Sequence, residues 1–290
     1  MLGNNLEKKG LVLVRTGCDH HIQNWLTHPR NLRSWDLAIS RYQDIAFPDK
    51  HHIDYLHYFK GGKWDGIFNF FSDNPTLIEK YEYFWLVDDD IECDVLHIDK
   101  LFSYVAKNKF ELSQPALTLD SYYSHKLTLQ CPGFRHRHVS MVEIMAPILS
   151  KEQLKKSLPY FENTKSGCGI DWLWHKFVTE KYKKISIIDE LAVCHSRPLG
   201  QHLKKEMKKV GKSSVREREQ LMSECSFGRH HMIVYSGVLS SGKKIRNRFS
   251  ASFYVLFFYL KNRKLFLNGE FSFYDYMKII YNQFFCKIYW

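Results

Sequence analysis

The sequence predicts an α/β protein in which helices flank a sheet of short apolar strands, followed by a basic, aromatic and mainly helical extension. Three observations support this prediction. Short apolar runs alternate with segments of helical periodicity, one such run stops abruptly at three aspartates, and the composition changes near residue 203. Alternation of this kind favours a sheet that binds ligands at the carboxyl ends of its strands.

The strand candidates are short runs rich in β-branched and aromatic residues. They cover residues 11–14, 35–40, 83–87, 112–119, 139–149 and 185–194. The helix candidates have apolar residues at helical spacing. They cover residues 64–71, 96–106, 151–158 and 171–182.

Charge and aromatic residues are concentrated at the carboxyl end of the 290-residue chain. Residues 1–202 hold 25 basic and 25 acidic side chains, whereas residues 203–290 hold 17 basic and 6 acidic ones, so the net charge of +11 belongs to the second region. Of 45 aromatic residues, 15 lie between Phe253 and Trp290. We therefore divide the chain into a catalytic domain at 1–202 and a carboxyl-terminal region at 203–290.

Several classes of protein are excluded by composition and pattern. Seven scattered cysteines without a C-x-x-C pair argue against a zinc ribbon or a disulfide framework and are typical of a cytoplasmic protein. The first apolar run is too short for a signal peptide, and residues 251–260 are too few for the ~20 residues of a membrane span. Residues 1–202 are neutral and lack nucleic-acid-binding motifs, so we do not expect nucleic acid as a partner.

The triplet Asp88, Asp89 and Asp90 ends the apolar run 83–87 and is the most informative feature. Three carboxylates after a buried strand are costly unless a cation or hydrogen-bond donors compensate. In an extended chain, Asp88 and Asp90 point to the same side and can share one site. Oxygen ligands favour Mg²⁺ or Mn²⁺, often together with phosphate oxygens. The triplet predicts a metal site for a diphosphate; the alternative is an acidic turn that caps the next helix.

Three later residues are candidates for the same site. Asp171 follows a glycine-rich turn at a predicted helix start, where it is either a catalytic base or a residue that stabilises the helix end. Glu143 lies within an apolar strand candidate, where an ionisable group either pairs with a cation or has a raised pKa. His195 follows the last strand candidate and is either a nitrogen ligand of the metal or a structural histidine.

Several strings occur in a fixed order along residues 11–200. They are LVLVRTG at 11–17, RSWDLAISRY at 33–42, GGKWDG at 61–66, DDD at 88–90, SQPAL at 113–117, VEIMAPILS at 142–150, GCGIDW at 167–172 and CHSRPLG at 194–200. In this order they resemble a plant and bacterial family of formerly uncharacterised proteins whose members look like GT-A glycosyltransferases.

The resemblance implies a Rossmann-like nucleotide-diphospho-sugar transferase sheet, in which carboxylates and a divalent metal hold the donor diphosphate. Asp88 would face the nucleotide ribose, Asp90 would bind the metal, and His195 would complete the metal shell. Asp171 matches the carboxylate that activates the acceptor hydroxyl in inverting members, and Glu143 is the next candidate for this base.

Further candidates for contacts to the donor are Asp89, Arg15, Gly17, Lys63 and Asp65. The predicted function is an inverting, Mn²⁺- or Mg²⁺-dependent transfer of sugar from a nucleotide-sugar donor to a glycan or lipid-linked acceptor, in bacterial surface polysaccharide synthesis. The alternatives are a metal-dependent phosphohydrolase acting on nucleotide sugars and a non-catalytic sugar-binding relative.

Two basic stretches, 204–218 and 243–248, precede the aromatic run. Basic residues beside aromatic ones resemble an interfacial anchor, because each Lys or Arg near an anionic leaflet contributes ~1 kcal/mol. We therefore expect peripheral attachment to the inner face of the cell membrane. The alternative is a helical subdomain whose aromatic residues form a core, and both can hold.

Overall fold

The computed structural model describes residues 9–44, 51–200, 211, 213–267 and 272–286. Its strands are β1 (Gly10–Thr16), β2 (Trp35–Arg41), β3 (Tyr55–Tyr58), β4 (Tyr83–Asp88), β5 (Ile91–Glu92), β6 (Leu112–Leu117), β7 (Phe134–Val139), β8 (Ile148–Ser150), β9 (Ile185–His195), β10 (Val234–Leu239) and β11 (Lys244–Ile245). Its helices are α1 (Gln23–Leu26), α2 (Lys63–Asp73), α3 (Thr76–Lys80), α4 (Val95–Asn108), α5 (Lys151–Ser157), α6 (Ile170–Leu173), α7 (Lys181–Lys184), α8 (Ser214–Glu224), α9 (Arg248–Lys261) and α10 (Phe273–Phe285).

The strands form one sheet in the order β11-β10-β7-β9-β6-β8-β4-β1-β2-β3, and β5 pairs with β9 outside this path. Strands β3, β2, β1 and β4 are parallel, and β8 lies antiparallel between β4 and β6. Strands β4, β6 and β9 therefore run in the same direction as β1. The chain leaves β1 for β2 on one side and returns as β4 on the other, which makes the β1/β4 junction a topological switch point.

The core lies on both faces of β1. Leu11, Val12, Leu13 and Val14 all have zero exposure, and because successive side chains of a strand point to opposite faces, both faces must be covered. Helix α2 packs on β1 and β2, while α4 contacts β9 and α5 contacts β8. The predicted α/β architecture, with helices flanking a central sheet and a helical extension at the carboxyl end, is confirmed.

Helix α4 begins soon after the acidic triplet, and its cap comes from another residue. The Asp94 carboxylate accepts a hydrogen bond of 2.7 Å from the backbone amide of His97. A side-chain cap of this kind satisfies an amide at the helix start that lacks a helical partner. The capping role that the sequence left open for the triplet therefore belongs to Asp94.

Two predicted elements are wrong. Strand β7 ends at Val139, and residues 140–147 form a loop before β8, so Glu143 lies in a loop rather than a strand. The backbone amides of Leu86 and Asp88 hold this loop by donating hydrogen bonds to two of its carbonyl oxygens. The predicted helix 171–182 breaks after Phe177, because Thr179 donates from its amide and its hydroxyl to the Glu111 carboxylate instead of continuing the helix.

The carboxyl-terminal region contributes strands as well as helices. Strand β10 pairs antiparallel with β7, β11 pairs with β10, and α9 packs on β10 while α10 packs on α9. The division of the chain at residues 202 and 203 stays a prediction. Five lysines of the first basic stretch lie outside the described residues: Lys204, Lys205, Lys208, Lys209 and Lys212.

Within the described ranges, none of the helices combines the length and the apolar character that crossing a membrane would require.

Candidate functional site

Three side chains that could hold a metal ion meet at the carboxyl ends of β4 and β9. Asp88 ends β4, and the two-residue strand β5 pairs Ile91 with His195, which brings the preceding Asp90 against the end of β9. One ligand atom from each of Asp88, Asp90 and His195 lies within 4.8 Å of the other two. The Asp90 Oδ2 to His195 Nε2 distance is 3.3 Å.

The chemistry of these three groups suits a divalent cation. The Nδ1 atom of His195 lies 2.9 Å from the carbonyl oxygen of Tyr122. A carbonyl can only accept, so Nδ1 carries a proton and Nε2 is the nitrogen that faces Asp90; histidine ligands of metals are commonly oriented in this way. Asp90 Oδ1 is buried and has no hydrogen-bond partner among the described residues. Two carboxylates and one imidazole are a ligand set that Mn²⁺ accepts, and Mg²⁺ prefers the oxygens.

Burial changes the acidity of the cluster. It raises the pKa of Asp89 to about 7, although the Arg197 guanidinium opposes the shift. It also raises the pKa of Asp88 against the opposing charge of Lys63. For His195, burial by itself lowers the pKa, but the hydrogen bond and the charge of Asp90 outweigh burial and raise it. Carboxylates crowded in this way gain from a nearby cation.

Lys63 ties the acidic cluster to the loop 140–147. It is the first residue of α2, and its Nζ lies 2.6 Å from Asp88 Oδ1, 2.7 Å from the carbonyl oxygen of Ile144 and 3.0 Å from that of Met145. All three protons of the ammonium group therefore have acceptors within the chain. Lys63, which the sequence predicts to contact the sugar donor, therefore lies beside the candidate metal ligand Asp88.

Arg15 pairs in register with Asp88 across β1 and β4, and Asp65 lies near Arg15. The buried Arg15 guanidinium donates to Ser40 Oγ at 2.9 Å and to the carbonyl oxygens of Phe59 at 3.0 Å and Gly61 at 2.8 Å. Asp65 is near enough for the two charges to interact. The structure thus shows Arg15 holding the loop that leads into α2, and contact of either side chain with a donor stays a prediction.

Arg197 is a site residue that the sequence analysis missed. Its Nη2 lies 3.3 Å from Asp89 Oδ1, and its Nε lies 3.8 Å from Asp90 Oδ2. The predicted residue Gly17 meets the same carboxylate, since its amide lies 3.4 Å from Asp89 Oδ2. Arg197 stands two residues after His195 in the string CHSRPLG, and this position was the signal that could have identified it.

A second cluster contains Glu143, Asp171 and His125. The backbone amide of His125 donates to Glu143 Oε1, while Glu143 Oε2 is buried without a hydrogen-bond partner among the described residues. His125 Nε2 lies 3.8 Å from Asp171 Oδ2. Burial raises the pKa of Glu143 to about 7. For His125, burial favours the neutral imidazole and lowers the pKa. The hydrogen bond of Asp171 and the charges of Glu143 and Asp171 outweigh burial, so the pKa of His125 is raised.

The two clusters are joined through Lys63. Glu143 precedes Ile144, whose carbonyl oxygen accepts from Lys63, and Lys63 in turn donates to Asp88. The charge of His195 also lowers the pKa of Glu143 in part. Glu143 therefore lies near the predicted metal ligands, and His125 connects Glu143 with Asp171.

The loop before Asp171 needs its glycines. Gly167 has φ of 70° and Gly169 has φ of 98°, in the left-handed region that glycine adopts without strain. A Cβ atom at Gly167 would lie 2.0 Å from Trp64 Nε1. Glu217 of α8 holds the same loop from outside, since it accepts from the Ser166 amide at 2.9 Å and the Ser166 hydroxyl at 2.6 Å.

The loop that carries His125 is anchored by buried groups of the sheet and of α9. Tyr259 Oη lies 2.7 Å from the carbonyl oxygen of Leu129 and 3.0 Å from that of Lys126. Arg137 donates to the Leu129 carbonyl at 2.8 Å and forms a fully buried ion pair with Asp189. Helix α9 therefore takes part in fixing the position of His125.

Solved structures that are similar to this chain include two of S. aureus TarS 1–349. The one in complex with UDP-GlcNAc is 12% identical with a TM-score of 0.42, over 68% of this chain and 60% of that chain. The one in complex with UDP is 12% identical with a TM-score of 0.42, over 75% of this chain and 70% of that chain. The chain thus spans less than two thirds of the first of these. No curated protein matches it in sequence.

A family model described as "Protein of unknown function (DUF707)" matches residues 32–233, a range that contains both clusters described above. Because the match covers more than half of the sequence, the chain belongs to this family.

Proposed function

We propose that this protein is a divalent-metal-dependent glycosyltransferase of the GT-A type, which transfers a sugar from a nucleotide-sugar donor to a glycan or lipid-linked acceptor. The observation that carries the proposal is the cluster of Asp88, Asp90 and His195 at the carboxyl ends of two parallel strands. The cluster adjoins the β1/β4 switch point, where open α/β sheets bind their ligands.

Asp88, Asp90 and His195 would hold Mn²⁺ or Mg²⁺. When bound, such an ion neutralises charge that develops on a leaving nucleoside diphosphate. Arg197 is well suited to contact the diphosphate, because its planar guanidinium matches phosphate oxygens and it already lies beside Asp89 and Asp90. Lys63 holds one oxygen of Asp88 and leaves the other for the metal or the ribose.

Asp171 would accept the proton of the acceptor hydroxyl, with inversion at the anomeric carbon. Glu143 suits this role less well, because one of its oxygens already accepts from the His125 amide and the other is buried. We assign Glu143 and His125 the role of positioning Asp171 and shaping the charge around it.

The proposal is tested by screening nucleotide sugars with Mn²⁺ for transfer and by comparing Asp171→Asn with the exposed control Asp120→Asn. Asp171→Asn should lower kcat about 100- to 10,000-fold and leave donor affinity nearly unchanged. A near-normal kcat would make the base assignment wrong, and Glu143→Gln would be the next variant. Release of inorganic phosphate without an acceptor would instead indicate a phosphohydrolase.

The proposed place of action is the anionic inner face of the cell membrane, in surface polysaccharide synthesis. Along α9, the side chains of Phe249, Phe253, Phe257 and Leu260 are at least half exposed and recur at helical spacing. The opposite side of this helix buries Val255 and Tyr259. The two alternatives for the aromatic region are thus compatible: its inner face forms core, and its outer face is free to enter a lipid interface.

A further inference from the structure

A cleft of about 340 Å³ lies between α8 and α6, the helix that carries the proposed base. Its lining consists of Trp172, Arg218, Glu219, Met222 and Arg229. Trp172 directly follows Asp171 in α6, so the cleft borders the helix that carries the residue that would accept a proton.

The lining of the cleft carries the positive charge that an oxyanion ligand requires. Neither Arg218 nor Arg229 has a hydrogen bond or an ion pair within the described part of the chain, and Glu219 is the single carboxylate among the residues of the lining. The Arg218 guanidinium lies over the Trp172 ring, with its central carbon 5.1 Å from the ring centroid. Guanidinium groups bind phosphoryl and carboxylate oxygens in a forked geometry.

Helix α8 holds Arg218 in a fixed relation to Asp171. The neighbouring Glu217 binds the amide and the hydroxyl of Ser166 in the loop before α6. Arg218 itself packs against Gly169 of that loop: a Cβ atom there would lie 3.0 Å from Arg218 Cγ. The position of the guanidinium is therefore set by the same loop that presents Asp171.

Further positive charge lies near His125, on α10 and on the segment before β10. Lys278 lies near enough to His125, the partner of Asp171, for its charge to oppose protonation of the imidazole. Burial lowers the pKa of His231, and the charges of Arg229 and Lys278 lower it further. Arg229 also lines the cleft, so the positive charge near His125 and His231 continues into the cleft.

We propose that this cleft binds the acceptor through an oxyanion, a phosphoryl or carboxylate group that neighbours the hydroxyl to be glycosylated. Arg218 and Arg229 hold the oxyanion, Trp172 packs against the carbon skeleton, and the hydroxyl faces Asp171. The inference rests on the proposed function and specifies the chemical class of its acceptor.

The test is calorimetric binding of four small probes to the full-length protein in EDTA, so that no donor metal is present. Glycerol 3-phosphate and glucuronate carry the two candidate oxyanions, and glycerol and glucose are their uncharged controls. At least one anionic probe should bind and the uncharged probes should not; which anion binds identifies the group. Equal binding of charged and uncharged probes, or no binding of any probe, would overturn the proposal.

Variants locate the site. The double variant Arg218→Gln with Arg229→Gln should weaken binding of the anion about 10- to 100-fold, the loss expected for charge-assisted hydrogen bonds. Arg216→Gln on the exposed side of α8 is the matched control and should change nothing, while Arg218→Lys should give an intermediate affinity and shows that the helix still folds. Undiminished binding by the double variant would also overturn the proposal.

Donor binding separates this inference from the proposed function. Wild-type protein is titrated in parallel with nucleotide sugars and Mn²⁺. Uptake of a donor without uptake of an anionic probe would overturn the assignment of the cleft to the acceptor and would leave the proposed glycosyltransferase activity standing. Uptake of an anionic probe without uptake of any nucleotide sugar contradicts the glycosyltransferase, and with it the assignment of the cleft to an acceptor.

Discussion

His195 Nε2 lies 3.3 Å from Asp90 Oδ2, although His195 ends β9 and Asp90 lies in the turn between β4 and β5. The short strand β5 joins them by pairing Ile91 with His195. The imidazole is oriented from its other side by the carbonyl of Tyr122. A pair of potential ligands is therefore held in place by the backbone of the fold, which is the arrangement that a metal site requires.

Replacing either member of this pair should abolish metal uptake. Asp90→Asn removes one charge from the cluster, and His195→Gln removes the nitrogen that faces it. We expect Mn²⁺ affinity, measured by calorimetry, to fall at least about 10- to 100-fold in each variant, since even supporting residues of metal sites have effects of this size. Asp94→Asn is the matched control, because asparagine also caps helices well. Unchanged Mn²⁺ affinity in both variants would mean that the cluster binds no metal.

Arg197→Gln should weaken donor binding more than it slows turnover. The side chain lies beside Asp89 and is 22% exposed, so the thermal stability of the variant is measured together with its kinetics. If Arg197 contacts the diphosphate in the bound state as well as in the transition state, its removal raises KM and changes kcat little. Steady-state kinetics with varied donor concentration measure the two constants. A fall in kcat with unchanged KM would instead assign Arg197 to the transition state.

Glu143 should make stability depend on pH. Burial raises its pKa from 4.5 to about 7 in the folded protein, so the folded state binds the proton more tightly than the unfolded chain between these values. The stability linked to this proton is fully present below the unfolded pKa and is lost as the pH rises through about 7, a change of roughly 3 kcal/mol. Glu143→Gln should therefore gain stability relative to wild type between pH 5 and pH 8.

Urea denaturation at both pH values, in EDTA, measures this difference. The exposed Glu162→Gln is the matched control and should show the same stability relative to wild type at pH 5 and at pH 8. A Glu143→Gln variant whose relative stability does not change with pH would show that Glu143 is ionised at an ordinary pH in the fold.

Tyr259→Phe should lower both stability and turnover. The buried hydroxyl lies within hydrogen-bond distance of the carbonyl oxygens of Lys126 and Leu129. Because these carbonyls keep the Leu129 amide and Arg137 as donors, loss of the hydroxyl should cost about 0.5–1.5 kcal/mol, the net contribution of one hydrogen bond. The same carbonyls belong to the loop that carries His125, and kcat should fall while donor affinity stays constant. Tyr274→Phe, at a side chain that is 71% exposed, is the control for both measurements. Normal kcat in a destabilised Tyr259→Phe would limit this tyrosine to folding.

The features of the site that the sequence predicted are those with a local pattern. An apolar run that stops at three aspartates is visible without any structure, and so is a histidine after a later run. His125 has no such pattern, because its place depends on the approach of Glu143 and Asp171 from other parts of the chain. The sequence therefore predicts the site residues at the strand ends, whereas the loop that carries His125 could be recognised only in the structure.

The same distinction applies to the fold. Strands buried on both faces, such as β1, have continuous apolar runs and were predicted. Strand β7 has the sequence FRHRHV and was missed, because its basic residues hide the alternation of apolar and polar positions that is typical of a strand. The structure explains Arg137 in this strand by its buried ion pair with Asp189 of β9, a contact between positions far apart in the sequence.

The exposed aromatic face of α9 should bind anionic membranes. Phe253 and Phe257 are 67% and 50% exposed, and the exposed residues Lys243, Lys244 and Arg246 lie shortly before them. Each phenylalanine that enters the interface can contribute up to about 1.5–3 kcal/mol, and each basic residue about 1 kcal/mol. Vesicles that contain phosphatidylglycerol should therefore bind the protein better than phosphatidylcholine vesicles do.

Co-flotation with such vesicles measures this binding. The double variant Phe253→Ser with Phe257→Ser should bind at least about tenfold more weakly, as expected from the lost apolar contact. Leu96→Ser is the matched control, because Leu96 is 60% exposed and lies on another helix, α4. Raising the salt concentration should weaken the binding of wild type, since the charge contribution is screened. Equal flotation of the double variant and wild type would show that α9 does not enter the membrane, and its exposed phenylalanines would then need another partner.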